Sequence, residues 1–170
     1  MLQVFYPNAY MDSVHCIDFK HYRDMGYKGI IFDIDNTLVC HGAPATEEII
    51  AFISDLRKLG YEIMVMSNNK EPRVKSFAEA VGGIAYIYKA NKPAKTSYMR
   101  CMDKMLTDVN TTLFIGDQLF TDIWGAKRCG IFSILVKPID KKEEIQIIIK
   151  RYFEKIVLHF YLKEKKKSGN

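Results

Sequence analysis

Five short apolar runs punctuate the chain: Gly29 to Ile34, Ile63 to Met66, Ile84 to Tyr88, Thr111 to Ile115 and Ile131 to Val136. Runs this short, with no polar alternation, read as strands covered on both faces, the pattern of a parallel sheet. The stretches between them carry helical spacing. Thr46 can cap a helix running to Leu59, with Ile49, Ile50, Phe52, Ile53 and Leu56 on its apolar face and Gly60 beyond its end. Further helices are expected near Pro72 to Ala80, Ala94 to Leu106 and Thr121 to Cys129, with Pro72 in a first turn and Gly82-Gly83 and Gly130 as stops. Strand and helix in strict alternation predict an α/β fold, a three-layer sandwich around a parallel, Rossmann-like sheet with right-handed crossovers.

Past Pro138 the period changes. Ile145, Ile148, Ile149, Tyr152, Phe153, Ile156, Val157, Phe160 and Tyr161 recur at steps of three and one, which predicts a C-terminal amphipathic helix with one apolar stripe. Asp140 and Glu143 resemble a capping box at its start, and Lys150, Arg151, Glu154, Lys155 and His159 fall on the other face. Two uses of this helix stay open: docking on the sheet or the N-terminal segment, or lying on an anionic membrane with Lys163 to Lys167 adding attraction. The expected organisation is a core over residues 1–140, the helix over 141–162 as part of the same domain, and a basic, disordered tail over 163–170.

Composition narrows the class. A chain of 170 residues with 48% hydrophobic content builds one substantial core rather than two. It holds no stretch of 18 apolar residues, the length needed to span a membrane. The N-terminal residues lack the charge and apolar pattern of an export signal. Cys16, Cys40, Cys101 and Cys129 are widely spaced with no C-x-x-C pair, which argues against zinc or a disulfide framework and for a cytoplasmic protein. The net charge of +5 is local: residues 141–170 hold nine Lys/Arg against four Asp/Glu, which leaves 16 against 16 in residues 1–140. That balance argues against a nucleic-acid-binding body and turns attention to the C-terminal end.

The candidate chemistry lies where the strands end. Asp33, Asp35 and Thr37 alternate at the close of the first run. Adjacent carboxylates repel and resist desolvation, so a cation or a shared proton is needed between them, and magnesium suits an all-oxygen site that also meets a phosphate. Ser67, Asn68 and Asn69 close the second run, offering a hydroxyl and backbone N–H groups ahead of a helix, where an anion would bind. Lys92 precedes Pro93 at the start of another helix, and Asp117 and Asp122 follow the fourth run. Taken singly, Ser67 reads as a cap, Lys92 as a surface lysine and Asp122 as an acid at a helix N-terminus. Their order, all at strand ends, points to one site. His41 reads as a loop residue and Trp124 as a packing residue.

With these residues in place the chain resembles the haloacid dehalogenase (HAD) superfamily. The likeness covers D-x-D-x-T at Asp33 to Thr37, the hydroxyl at Ser67, the lysine at Lys92 and G-D-x-x-x-x-D at Gly116 to Asp122. It is closer still to the YqeG-type phosphatases of subfamily IIIA, over roughly Tyr6 to Tyr161. The resemblance implies an Mg2+-dependent phosphoric monoester hydrolase. In it Asp33 would attack phosphorus, Asp35 would act as acid and then base, and Thr37, Ser67, Asn68 and Lys92 would hold the phosphate. Asp33, the backbone carbonyl of Asp35 and Asp117 would bind the metal, with Asp122 completing its surroundings or pairing with Lys92. Asp35 must begin protonated, which repulsion by Asp33 would favour. Residues 38–66 and 70–91, where the superfamily often inserts a cap domain, hold one crossover unit each, so no cap is expected.

Relatives of this branch in mitochondria and plastids act on phosphatidylglycerophosphate, so a phospholipid is the first substrate the resemblance suggests, with the protein peripheral at the inner membrane face. A soluble sugar or nucleotide monophosphate is the alternative within enzymes. A non-catalytic protein associated with membrane or RNA is the alternative outside them, and the joint presence of Asp33, Asp35, Lys92 and Asp117 argues against it.

Overall fold

The computed structural model describes residues 2–140 and 145–168, with the side chains of 145–151 and 168 excepted. Six parallel strands form one sheet: β1 (Ala9–Met11), β2 (Gly29–Phe32), β3 (Glu62–Met66), β4 (Ala85–Ile87), β5 (Thr112–Gly116) and β6 (Phe132–Val136), in the order β1-β6-β5-β2-β3-β4. The helices are α1 (Phe19–Asp24), α2 (Glu47–Lys58), α3 (Glu71–Ala80), α4 (Lys95–Met105), α5 (Trp124–Cys129) and α6 (Ile145–Ser168). The three-layer α/β architecture expected from the alternation is what forms, and the crossovers between the motifs are single helices with no cap domain.

Local signals explain the elements. The Thr46 hydroxyl accepts the Ile49 N–H at 3.2 Å and caps α2, whose Ile49, Ile53 and Leu56 are buried. Pro72 occupies the first turn of α3. The apolar runs fill β2, β3 and β5, where Ile30, Ile31, Phe32, Val65, Met66, Leu113, Phe114 and Ile115 are fully enclosed. One layer of core packs α2, α3 and the N-terminal segment on one face of the sheet, and a second packs α4 and α5 on the other. Trp124 packs edge-on against Phe5, as a structural residue should.

Three features differ from the sequence reading. The sheet has a sixth strand, β1, paired with β6, which the chain's patterning does not announce. The helix expected from Thr121 begins instead as a π-helical turn, Leu119–Ile123, before α5. α6 continues through Lys163 to Ser168, so those residues are helical rather than a disordered tail. The proposed capping residue Glu143 lies outside the described residues.

α6 also sits differently on the core than its stripe suggests. Val157 and Tyr161 are buried, but so is Glu154, expected on the polar face, while Tyr152, Phe153, Ile156 and Phe160 face outward. Val157 packs with Leu119, Ile123 and Leu135, and Tyr161 meets Tyr6 edge-on at 5.4 Å. Glu154 turns inward because its carboxylate has work there: it accepts the backbone N–H of Leu119 at 2.7 Å, at the head of the π-helical turn. No helix among the described residues is long and apolar enough to cross a membrane.

Candidate active site

Register fixes where the chemistry emerges. β2 lies between β5 and β3, with Phe32 opposite both Ile115 and Val65, so Asp33 leaves the sheet beside Gly116 and Met66, and Asp117 and Ser67 follow one residue later. This is the point at which successive crossovers leave in opposite directions, where open α/β sheets bind ligands. Asp33 still belongs to the ladder, donating its N–H to Ile115 O at 2.9 Å. The chain then turns tightly. Asn36 takes φ 64°, a left-handed conformation that asparagine tolerates, and Leu38 N–H reaches back to Ile34 O at 2.9 Å. That turn aims the Thr37 hydroxyl at both Asp33 Oδ2 and Asp117 Oδ1, each 3.3 Å away.

Lys92 lies at the centre of this group. Its buried ammonium is 2.5 Å from Asp33 Oδ1 and 2.7 Å from Asp122 Oδ1. Burial works to lower the Lys92 pKa, but Asp122 and Asp33 outweigh it and raise it, so the group stays charged. Asn68 holds the lysine in place from behind: its Oδ1 accepts the Lys92 N–H at 2.8 Å and its amide donates to Lys92 O at 3.4 Å. Asp122, whose role the sequence leaves undecided, pairs with Lys92 and also accepts the Gln118 N–H at 3.1 Å. It sits so close to Gly116 that a Cβ there would lie 2.6 Å from Asp122 Oδ2, which accounts for the glycine.

Carboxylates crowd this end of the sheet. Asp33, Asp117 and Asp122 are all buried, and one oxygen from each lies within 4.8 Å of the others. Among the described residues, the Lys92 ammonium pairs with Asp33 and Asp122 of this cluster. Burial pushes Asp33 up to about 6 against the pull of Lys92, with Asp122 and Asp35 adding to the rise. A divalent cation with oxygen preference fits this cluster, because it would relieve the repulsion that burial makes expensive.

Asp35 departs from expectation. Its side chain accepts the Gly42 N–H at 2.8 Å, the Asn69 amide at 2.9 Å and Arg73 Nη2 at 3.0 Å. Burial acts to raise its pKa, but these bonds and the Arg73 charge together hold it below the usual carboxylate range. The expected repulsion by Asp33 is therefore outweighed, and Asp35 rests as a carboxylate. Ser67 is placed at its strand end, where its Oγ accepts the Asn69 N–H at 3.1 Å and so keeps its own proton to donate.

Arg73, the Gly42 N–H and Glu154 are site residues that motif reading passes over, as is the bond from the Asn69 side chain to Asp35. Arg73 carries a readable signal. A cation in the first turn of a helix opposes the macrodipole, so its presence there asks for an anionic partner.

Residues 89–146 match the HAD-hydrolase-like family. The chain is 35% identical over 160 residues to the probable phosphatase YqeG of Bacillus subtilis, covering 93% of this chain and 92% of that protein. It is 26% identical over 163 residues to phosphatidylglycerophosphate phosphatase 1, chloroplastic/mitochondrial, of Arabidopsis thaliana, covering 84% of this chain and 43% of that one. In fold it is similar to the cobalt-bound deoxy-D-mannose-octulosonate 8-phosphate phosphatase of Haemophilus influenzae. The TM-score there is 0.54 at 15% identity, over 66% of this chain and 80% of that one.

Proposed function

Since this chain belongs to the HAD superfamily, in the branch of the YqeG phosphatase, we propose that it is a magnesium-dependent phosphomonoesterase acting through an aspartyl phosphate on Asp33. The phosphatase class comes with the family; the metal, the intermediate and the substrate are the proposal. The observation that carries it is the convergence of Asp33, Thr37, Lys92, Asp117 and Asp122 at one strand-end crevice.

Asp33 Oδ would attack phosphorus as the bond to the leaving oxygen breaks, and Asp35 would give that oxygen its proton. Asp35 would then take a proton from water, whose oxygen attacks phosphorus, freeing inorganic phosphate and restoring Asp33. The carboxylate state in which Asp35 rests suits this second step; for the first, Arg73 must let it go and Asp35 must take up a proton from solvent, which it then passes to the leaving oxygen. Lys92, Thr37 and Ser67 would hold the equatorial oxygens. Asn68, its side chain occupied by the Lys92 main chain, would contribute its backbone N–H. Asp33, the Asp35 carbonyl and Asp117 would hold Mg2+, with Asp122 keeping Lys92 in position. The ion, when bound, would offset charge on the transferred phosphoryl group.

Phosphatidylglycerophosphate is the substrate this reading puts first. Without a cap the site lies open, so a small ester would be gripped on few sides, whereas a lipid phosphate is presented by the surface that carries it. The Arabidopsis relative bears that substrate in its name. The reading makes the protein cytoplasmic and peripheral at the inner membrane face. Phosphate release with magnesium, from phosphatidylglycerophosphate and from soluble sugar and nucleotide monophosphates, tests it. Release from the soluble esters alone would remove the lipid assignment.

A further inference from the structure

α6 is held to the core by one face and leaves another open. Glu154, Val157 and Tyr161 are buried, and Tyr6 donates to Glu164 at 3.3 Å, so the helix is fastened along several turns. On the opposite side Tyr152, Phe153, Ile156 and Phe160 are exposed by 68%, 57%, 45% and 44%. Other large exposed apolar residues, such as Met25 at the end of α1 and Met99 and Leu106 on α4 and its cap, lie away from α6. On α6 they recur at consecutive turns and form one strip.

The same strip continues into charge. From Phe153, Ile156 and Phe160 the steps of three and four run on to Lys163 and Lys167, with Lys155 and Lys166 beside them, all exposed. Aromatic and aliphatic side chains followed by lysines on one helix face are complementary to a surface that is apolar within and anionic at its edge. The position of the helix matters too. A cavity of about 190 Å³ is lined by Asp117, Leu119 and Leu135 and, from α6, by Lys155 and Leu158, so the helix shares one cavity wall with Asp117.

We propose that the outer face of α6, Tyr152, Phe153, Ile156 and Phe160 with Lys163 and Lys167, docks on an anionic phospholipid bilayer and brings the mouth of the active site to the headgroup layer. This builds on the lipid-phosphate reading and adds a surface to it. The helix lies along the interface; nothing in it spans. Because the docking face is not the face that holds the core, it can be altered without removing packing.

The test uses the full chain and vesicles of phosphatidylcholine with and without phosphatidylglycerol, at low and high salt. Sedimentation should carry the protein with the anionic vesicles, and less so as salt rises, since exposed charges are screened over about 10 Å at 0.1 M. The triple variant Phe153→Asp, Ile156→Asp, Phe160→Asp should lose partitioning by roughly tenfold or more. A second variant, Lys163→Ala with Lys167→Ala, should lose the salt-dependent part. Both should keep their hydrolysis of a soluble aryl phosphate. Equal partitioning of wild type and triple variant, or no partitioning of wild type, overturns the proposal. So does a wild type that dimerises without lipid while the triple variant stays monomeric, which would give the face to a second copy of the chain. Phosphatidylglycerophosphate dispersed in detergent micelles separates the two ideas: hydrolysis there without vesicle binding defeats the docking face alone, and vesicle binding without hydrolysis there defeats the substrate alone.

Discussion

Arg73, in the first turn of α3, holds Asp35 at 3.0 Å while its guanidinium also lies 5.7 Å from the ring centre of Phe77. The pair explains why a carboxylate two residues from Asp33 remains ionised in a crowded site. It also gives a pH signature. The folded pKa of Asp35 is lowered, so its stabilisation is complete above the ordinary carboxylate range and is lost as pH falls through the folded value. Arg73→Ala should cost about 1–2 kcal/mol near neutral pH, and the deficit should shrink in acid as Asp35 protonates in both proteins. Urea unfolding at a series of pH values measures this. A deficit that stays constant with pH would assign Arg73 to packing on Phe77 instead.

The two aspartates of the first motif should fail differently. Asp33→Asn should lower turnover by roughly a thousandfold or more on every ester, because the amide does not attack phosphorus. Asp35→Asn should slow an alkyl phosphate by about 10²–10⁴-fold and an activated aryl phosphate much less, since a good leaving group needs little protonation. Steady-state rates on both esters decide it, and equal losses would contradict the acid role.

Magnesium should stabilise the protein, and more at neutral than at acid pH. Burial raises Asp33 to about 6, so in the metal-free protein this group's contribution to stability falls as pH climbs from the ordinary carboxylate value through about 6. A cation bound there relieves that loss and competes with the proton. At a hundredfold excess over Kd the gain is about 2.7 kcal/mol, which for a chain of this size is roughly 5–10 °C in Tm. Thermal unfolding with magnesium and with EDTA, near pH 7.5 and near pH 5, should show the larger shift at the higher pH. Shifts of the same size at both would mean that the ion binds away from Asp33.

The sheet and the centre of the site were legible because burial on both faces forces uninterrupted apolar runs, and because Asp33, Ser67, Lys92 and Asp117 each stand at the end of such a run or just past one. What escaped is physically different. Ala9–Met11 pairs with β6 at the sheet edge, too short to show a pattern between Pro7-Asn8 and Asp12-Ser13. The π-helical turn at Leu119–Ile123 has no periodic signature, and depends on a carboxylate from far along the chain. Period and polarity place Glu154 on the solvent face, since neither registers an acceptor needed by a distant loop. The periodicity makes the apolar stripe of α6 a single face; Ile145, Ile148 and Ile149 have side chains outside those described, and over the rest the structure divides the stripe between Val157 and Tyr161, which are buried, and Tyr152, Phe153, Ile156 and Phe160, which are not.

Glu154 should therefore act on the metal site from outside it. Its Oε1 accepts the Leu119 N–H at 2.7 Å and lies 3.4 Å from the Phe120 N–H, anchoring the loop that runs from Asp117 to Asp122. Removing the acceptor leaves buried donors behind, so Glu154→Ala should cost about 1–3 kcal/mol of stability. If the anchor also fixes the direction of Asp117, magnesium affinity should drop by roughly tenfold or more, the scale seen when partners of metal ligands are lost. Glu154→Gln keeps an acceptor oxygen without the charge and should recover part of both. Calorimetric magnesium titration of the three proteins separates positioning from support. Stability lost in Glu154→Ala with affinity unchanged would make Glu154 a fastening for α6 and nothing more, whereas a graded fall in affinity from wild type through Gln to Ala would tie the C-terminal helix to the chemistry at the far end of β5.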